Sequence, residues 1–262
     1  MNAKRNSLIG IAVAFACLPF LTGTTGGGCG SFTSTSPAPD VTGPWAIQYG
    51  TNMTVKVTIG GSVYTQDLGP TGGAVSITHG GKLYAFSVDC NRPEVVCPSE
   101  VWPASVRIDQ RDATYKHRMW VSIPVQKCNG QTVAPPASEC GAGTPNPECK
   151  PVCNGTVTTS TADAFGLINE AGSKFDLFLG GGFATNGVNC ALLGLSAASA
   201  QIVSTGKGTD WQATAFQSGT VKTGFAGGCL WGGAVDPLTG KPEALVLGAT
   251  LEMSTPFTGT RQ

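Results

Sequence analysis

Charge is scarce in this chain. Asp, Glu, Lys and Arg make up 12% of 262 residues, about half the share of an ordinary globular protein. The 16 basic and 16 acidic side chains cancel. A nucleic-acid binder needs a basic surface to set against phosphates, so this composition excludes that class. Histidine is nearly absent: His79 and His117 are the two. Neither has a Cys or carboxylate at metal-ligand spacing, and no H-E-x-x-H occurs, which argues against a zinc enzyme and leaves no metal ligands to name. The nearest approach to G-x-S-x-G is Gly194-Leu195-Ser196-Ala197-Ala198, which lacks the final glycine of a nucleophile elbow. A phosphate-binding loop, a dinucleotide fingerprint and an EF-hand ladder are also missing. No cofactor is implied. Long helical periodicity is missing too. The best stretch, Leu192 to Ala200, is weakened by Gly194 and reads equally as a strand.

Glycine and cysteine are abundant. The 37 glycines follow no triplet period, which excludes collagen. Ten cysteines are too many for a reducing cytosol. An apolar content of 41% argues against wholesale disorder.

Lys4 and Arg5 precede an apolar run from Leu8 to Leu21, and TGTTGGGCGS follows. The run is too short to span a bilayer as a helix, which takes about 20 residues. A basic head, a short apolar run and small residues form a secretory signal, expected over residues 1–28. Cys29 directly after Gly28 resembles the processing site of bacterial lipoproteins, although Gly26 stands where that family usually carries Leu. The resemblance implies acylation of Cys29 and a membrane partner through that anchor. It places the domain on the cell envelope, facing the periplasm or the exterior. Cleavage after Ala14-Phe15-Ala16 is the competing, secreted alternative. Residues 30–40 (GSFTSTSPAPD) read as a flexible tether. Loss of Cys17 with the signal, and use of Cys29 by the lipid, leaves eight disulfide candidates: Cys90, Cys97, Cys128, Cys140, Cys149, Cys153, Cys190 and Cys229. Their connectivity cannot be deduced from sequence.

From residue 41 the hydrophobic period is two. Met53, Val55, Val57 and Ile59 alternate with polar residues, then Gly60-Gly61 leads into Ser62 to Thr65, a hairpin signal. The pattern recurs across His79-Gly80-Gly81, with Tyr84, Phe86 and Val88 on one face. Met119, Val121, Ile123 and Val125 form another apolar face, as do Phe175, Leu177 and Leu179 after a turn at Asn169 to Ser173. Trp211 to Phe216 and Thr220 to Phe225 flank a turn at Gln217-Ser218-Gly219, and Leu245 to Met253 gives the last strand. Parallel pairing would need crossover helices. The expectation is a single all-β domain over residues 41–262, an antiparallel meander of roughly a dozen strands closing as a barrel or a two-sheet sandwich. An outer-membrane barrel would need aromatic girdles, and the aromatics here are 8% and scattered. Residues 127–154 form a Cys/Pro-rich insert without a periodic apolar face, which calls for disulfide staples.

Gly43-Pro44-Trp45 opens the first strand and Arg261 closes the last. This G-x-W…Arg combination resembles the lipocalins, in which such a Trp packs under an Arg and seals the barrel. The Cys-rich insert is foreign to that family. Trp45, Trp102, Trp211 and Trp231 read as core or strand-face packing. Trp120 faces away from Met119, Val121 and Ile123, which makes it a possible ligand contact. His79 reads as a turn residue and His117, between Lys116 and Arg118, as a solvated strand end. The functional expectation is a non-catalytic surface binding or interaction module for a small-molecule, glycan or protein ligand. A hollow barrel would suit a small apolar ligand. The alternative is an extracellular hydrolase acting on a polymer such as a glycan, drawing two carboxylates from Glu94, Glu100, Asp109, Asp112, Glu170, Asp176 and Glu252.

Overall fold

The alternating segments become strands in the computed structural model, which describes residues 33–90, 97–133, 152–186, 190–230 and 245–262. The strands are β1 (Gly43–Tyr49), β2 (Met53–Ile59), β3 (Ser62–Leu68), β4 (Gly72–His79), β5 (Lys82–Asp89), β6 (Ser105–Asp109), β7 (Arg118–Val133), β8 (Val152–Ile168), β9 (Lys174–Asn186), β10 (Cys190–Thr205), β11 (Gln212–Leu230) and β12 (Leu245–Arg261). A four-residue helix, α1 (Pro98–Val101), precedes β6. The order β1-β6-β7-β8-β9-β10-β11-β12 closes on itself because β12 also pairs with β1. The result is an eight-stranded antiparallel barrel, one of the two closures expected from the pattern.

One strand serves two neighbours in succession. The C-terminal part of β12 pairs with β1, Trp45 opposite Arg261 and Tyr49 opposite Phe257. Its preceding part pairs with β2, Thr54 opposite Ser254 and Thr58 opposite Thr250. Pro256 lies between the two ladders and has no N–H to give, while its carbonyl accepts from the Gly50 N–H at 2.8 Å. β1 and β2 are therefore end-to-end partners of β12, interrupted at Gly50.

Among the described residues the barrel interior is filled by an aromatic column. Trp45 stacks on Phe216 at 3.8 Å between centroids. Phe216 meets Phe175 at 4.9 Å, Phe175 meets Trp102 at 6.0 Å, and Trp102 meets Phe257 at 4.7 Å, all edge-on. All five rings belong to one buried cluster with Ile108, Met119, Val121, Ile168 and Leu177. Trp102 reaches this column from the end of α1. The Cys90–Cys97 disulfide stands at the start of that helix, and Glu100 accepts the Cys97 N–H at 3.3 Å.

A second cluster lies beyond the column. It joins Met53, Val55, Val57 and Ile59 of β2 to Val75, Ile77, Tyr84 and Val88 of the β4–β5 hairpin. The two hairpins repeat one pattern at a spacing of twenty residues. Val55, Val57, Thr58, Gly60, Gly61 and Tyr64 match Val75, Ile77, Thr78, Gly80, Gly81 and Tyr84. Both Gly-Gly turns have positive φ at each position, as a two-residue hairpin of this hand requires.

Several expectations need correction. His117 is fully buried, not solvated. Its Nδ1 donates to the Ile168 carbonyl at 3.0 Å, since a carbonyl can only accept, and in the neutral ring its Nε2 then accepts from the Ser36 hydroxyl at 2.9 Å. The stretch expected as a tether is docked where it is described. Ala38 packs on the main core, and Asp40 pairs with Trp211 and Ala213 through its backbone. Gln217-Ser218-Gly219 is no hairpin turn. It is an irregularity inside β11, between Phe216 and Gly219, with Ser218 at φ 48°. The Leu192 to Ala200 stretch is strand. The ends of the Cys/Pro-rich insert extend β7 and β8, while residues 134–151, with Cys140 and Cys149, lie outside the described residues.

Truncation of a ring at the centre of the column leaves a cavity that stiff neighbouring strands cannot refill. Phe216→Ala should cost about 3–5 kcal/mol, read as a lower urea midpoint with an unchanged m-value.

Candidate functional site

A concave surface lies between β3 and β4. β3 ends the main sheet, and β4 pairs with β5 alone. The two strands leave a common bridge at Gly69 and Gly72 and then separate. Between them runs a groove of about 330 Å³ lined by Val55, Val57, Val63, Thr65, Val75 and Ile77, with Tyr64, Gln66, Ser76 and Thr78 beside them. Its lining carries no charge. The Gln66 side chain crosses the gap: its Nε2 donates to the Ala74 carbonyl at 2.7 Å, and its Oε1 accepts the Ser76 N–H at 3.4 Å. Nearer the turns, the Tyr64 hydroxyl and His79 Nδ1 are hydrogen-bonded at 2.9 Å. His79 is thus the last residue of β4 and a link between hairpins rather than a free turn residue. It rests against Gly60, where a Cβ would stand 3.3 Å from the imidazole Nε2.

None of the groove residues was singled out from sequence. The twenty-residue repeat was the available signal, since equal hairpins in tandem bring a strand of each to face the other.

Trp120 lies on the outside of the barrel, half-buried. Its ring meets Phe165 edge-on at 5.7 Å, and the Arg111 guanidinium sits 4.7 Å above it. Arg111 also pairs with Asp163 at 2.6 Å. The opposite end of the chain brings Trp45 and Arg261 into register as direct cross-strand partners. Trp45 Nε1 donates to the Val41 carbonyl at 2.8 Å. Arg261 donates to the carbonyls of Asp40, Thr42 and Ala213 and to the Asp40 carboxylate. That end is closed by protein groups.

The carboxylates are dispersed. Asp112 pairs with Arg118, Asp176 with Lys174 and Glu252 with Lys222, each within 3.2 Å. Glu100 caps α1, Glu170 is exposed in the turn before β9, and Asp109 ends β6. Glu94 lies outside the described residues, as do Cys29 and Trp231. No group of three metal-ligating side chains occurs among the described residues. The Tyr49 hydroxyl, Trp102 Nε1 and Thr223 Oγ1 are buried without a hydrogen-bond partner there, and burial raises the Tyr49 phenol above its ordinary value.

Among the described residues two disulfides are formed, Cys90–Cys97 and Cys128–Cys153. The second closes the β7–β8 ribbon. Its cysteines are four ladder positions apart, with the Gly130–Gly155 pair between them. A Cβ at either glycine would collide with the facing backbone, so the ribbon can coil tightly there only with glycine on both strands. In the backbone ladder of β10 and β11, Cys190 is the direct partner of Cys229. Directly opposed residues of an antiparallel pair have Cα atoms about 4.5–5.5 Å apart, inside the range a disulfide spans.

No family model, curated protein or solved structure matches the chain.

Two tests follow from these contacts. Mass mapping of non-reduced peptides should recover Cys90–Cys97 and Cys128–Cys153, and, from the ladder register, Cys190–Cys229. The second concerns acid. Burial pushes the Asp40 carboxyl up, but hydrogen bonds from Thr42 and Arg261, together with the Arg261 charge, outweigh it and hold the group below its ordinary value. A depressed folded pKa contributes stability above the unfolded value, about 3.9, and that stability is lost as pH falls through the folded value. Urea unfolding of Asp40→Asn should therefore show a flatter loss of stability below about pH 4 than the unsubstituted chain.

Proposed function

We propose that this chain is an exported, lipid-anchored binding module of the cell envelope that acts without catalysis and meets its ligand on the outside of the barrel. The filled interior carries this reading. The aromatic column from Trp45 to Phe257 leaves the small-ligand mode of hollow barrels no room at that level. The β3–β4 groove, with two unpaired strand edges and amide and hydroxyl groups along it, suits recognition instead. The two disulfides support an oxidising compartment. The signal-like N-terminus and Gly28-Cys29 supply the route there and the anchor. Diacylation of Cys29 together with an amide-linked chain would hold the domain stably, since one chain alone binds membranes only marginally.

Metabolic labelling with palmitate in a bacterial host tests the anchor. The full chain should take up label and partition with membranes, and Cys29→Ala should take up none. Equal labelling of both would contradict the proposal.

A further inference from the structure

We infer that the β3–β4 groove takes a short, uncharged, extended peptide segment, which adds as a strand to the free edge of β4 in place of the Gln66 side-chain amide. The inference rests on the binding-module reading and gives its ligand a chemical class.

In an antiparallel ladder, alternate residues turn both backbone groups toward one neighbour. Across the two-residue Gly80-Gly81 turn, His79 and Lys82 form the first pair of the β4–β5 ladder. His79, Ile77, Val75 and Gly73 then share one parity, and Thr78, Ser76 and Ala74 the other, facing the groove. The position of Gln66 agrees, since its amide reaches the Ala74 carbonyl and the Ser76 N–H. Across the Gly60-Gly61 turn the same parity directs the backbone groups of Val63 and Thr65 of β3 toward the groove. Two strand edges thus face each other, and neither is paired with another strand among the described residues.

The Gln66 amide shows what fits there. Its N–H donates to one β4 residue and its carbonyl accepts from the next but one, the two contacts that the N–H and C=O of one residue make in a neighbouring parallel strand. A side chain is standing in for a ligand backbone. The side chains beneath it, Val55, Val57, Val75 and Ile77, are already buried in the second core, so an added strand would be held chiefly through its backbone, with the exposed Val63 beside it. The walls carry Val63, Thr65, Ser76 and Thr78 and no charge, so a charged segment would lose hydration without compensation. The Tyr64–His79 hydrogen bond at one end and the Gly69–Gly72 bridge at the other limit the segment to a few residues. Because β3 and β4 run antiparallel, a segment antiparallel to β4 runs parallel to β3. Exposed edges of this kind invite strand addition, and natural sheets commonly cover them. Gln66 is such a cover, and a removable one.

The experiment uses the full chain with its disulfides intact and fluorescently labelled, acetylated and amidated hexapeptides built from Val, Ile, Thr, Ser and Tyr. Binding is read by anisotropy. Peptides of this panel should bind, and Gln66→Ala should tighten binding by about tenfold, since two edge groups no longer have to be uncovered. Thr65→Lys, on an exposed wall position, should weaken binding of the same peptides with the circular dichroism spectrum unchanged. N-methylation of alternate peptide amides should abolish binding, because it removes the ladder donors and leaves the side chains. Absence of binding to both the unsubstituted chain and Gln66→Ala would overturn the inference. Binding that survives N-methylation would overturn strand addition while leaving the binding-module reading in place. Concentration-dependent dimers by light scattering, dissociated by Thr65→Lys, would overturn it in favour of a second copy as the occupant.

Discussion

Five aromatic rings in contact inside the barrel are the constraint on which the rest of the structure depends. An eight-stranded barrel is just wide enough to be filled by side chains or to hold one small ligand. Here the choice is made by Trp45, Phe216, Phe175, Trp102 and Phe257, which occupy the interior in an unbroken chain of contacts. Four of them come from barrel strands. The fifth, Trp102, comes from a connection, and it reaches the other rings from the end of α1, which the Cys90–Cys97 disulfide precedes. The disulfide and the core are therefore one device.

A filled barrel moves recognition to its periphery. The same strand that closes the barrel also builds that periphery. β12 gives its C-terminal part to β1 and its preceding part to β2, with Pro256 at the change-over. β2 begins a tandem of two like hairpins that stack over a second core. Since the hairpins are joined by a short Gly-Pro-Thr turn and splay apart after one bridge, they leave β3 and β4 as facing edges. The groove is thus a consequence of how the barrel closes, and Gln66 and Tyr64 bridge it from one side.

Much of this was legible in the amino-acid sequence because strand patterns are local. Met53 to Ile59 alternates cleanly, and the Gly-Gly turns announce their hairpins. Barrel against sandwich was not decidable, because closure depends on Trp45 meeting Arg261 across more than 200 residues. His117 was misread for the same reason. Its sequence neighbours are basic, but its partners are Ser36 and Ile168, far off in the chain. Gln217-Ser218-Gly219 satisfies the chemistry of a turn and of a bulge alike, and the register of β12 selected the bulge. The groove was hidden because an unpaired edge is a relation between two strands and leaves no mark on either one.

The most direct test of the filled interior is a titration with a dansylated fatty acid, following energy transfer from tryptophan. Trp45 and Trp102, both fully buried in the column, would be close donors to any ligand inside the barrel. The account predicts no saturable transfer up to the solubility limit of the probe. Saturable transfer with one probe per chain, lost in a variant with Trp45 and Trp102 replaced by Phe, would show that the interior opens to ligand and would contradict it.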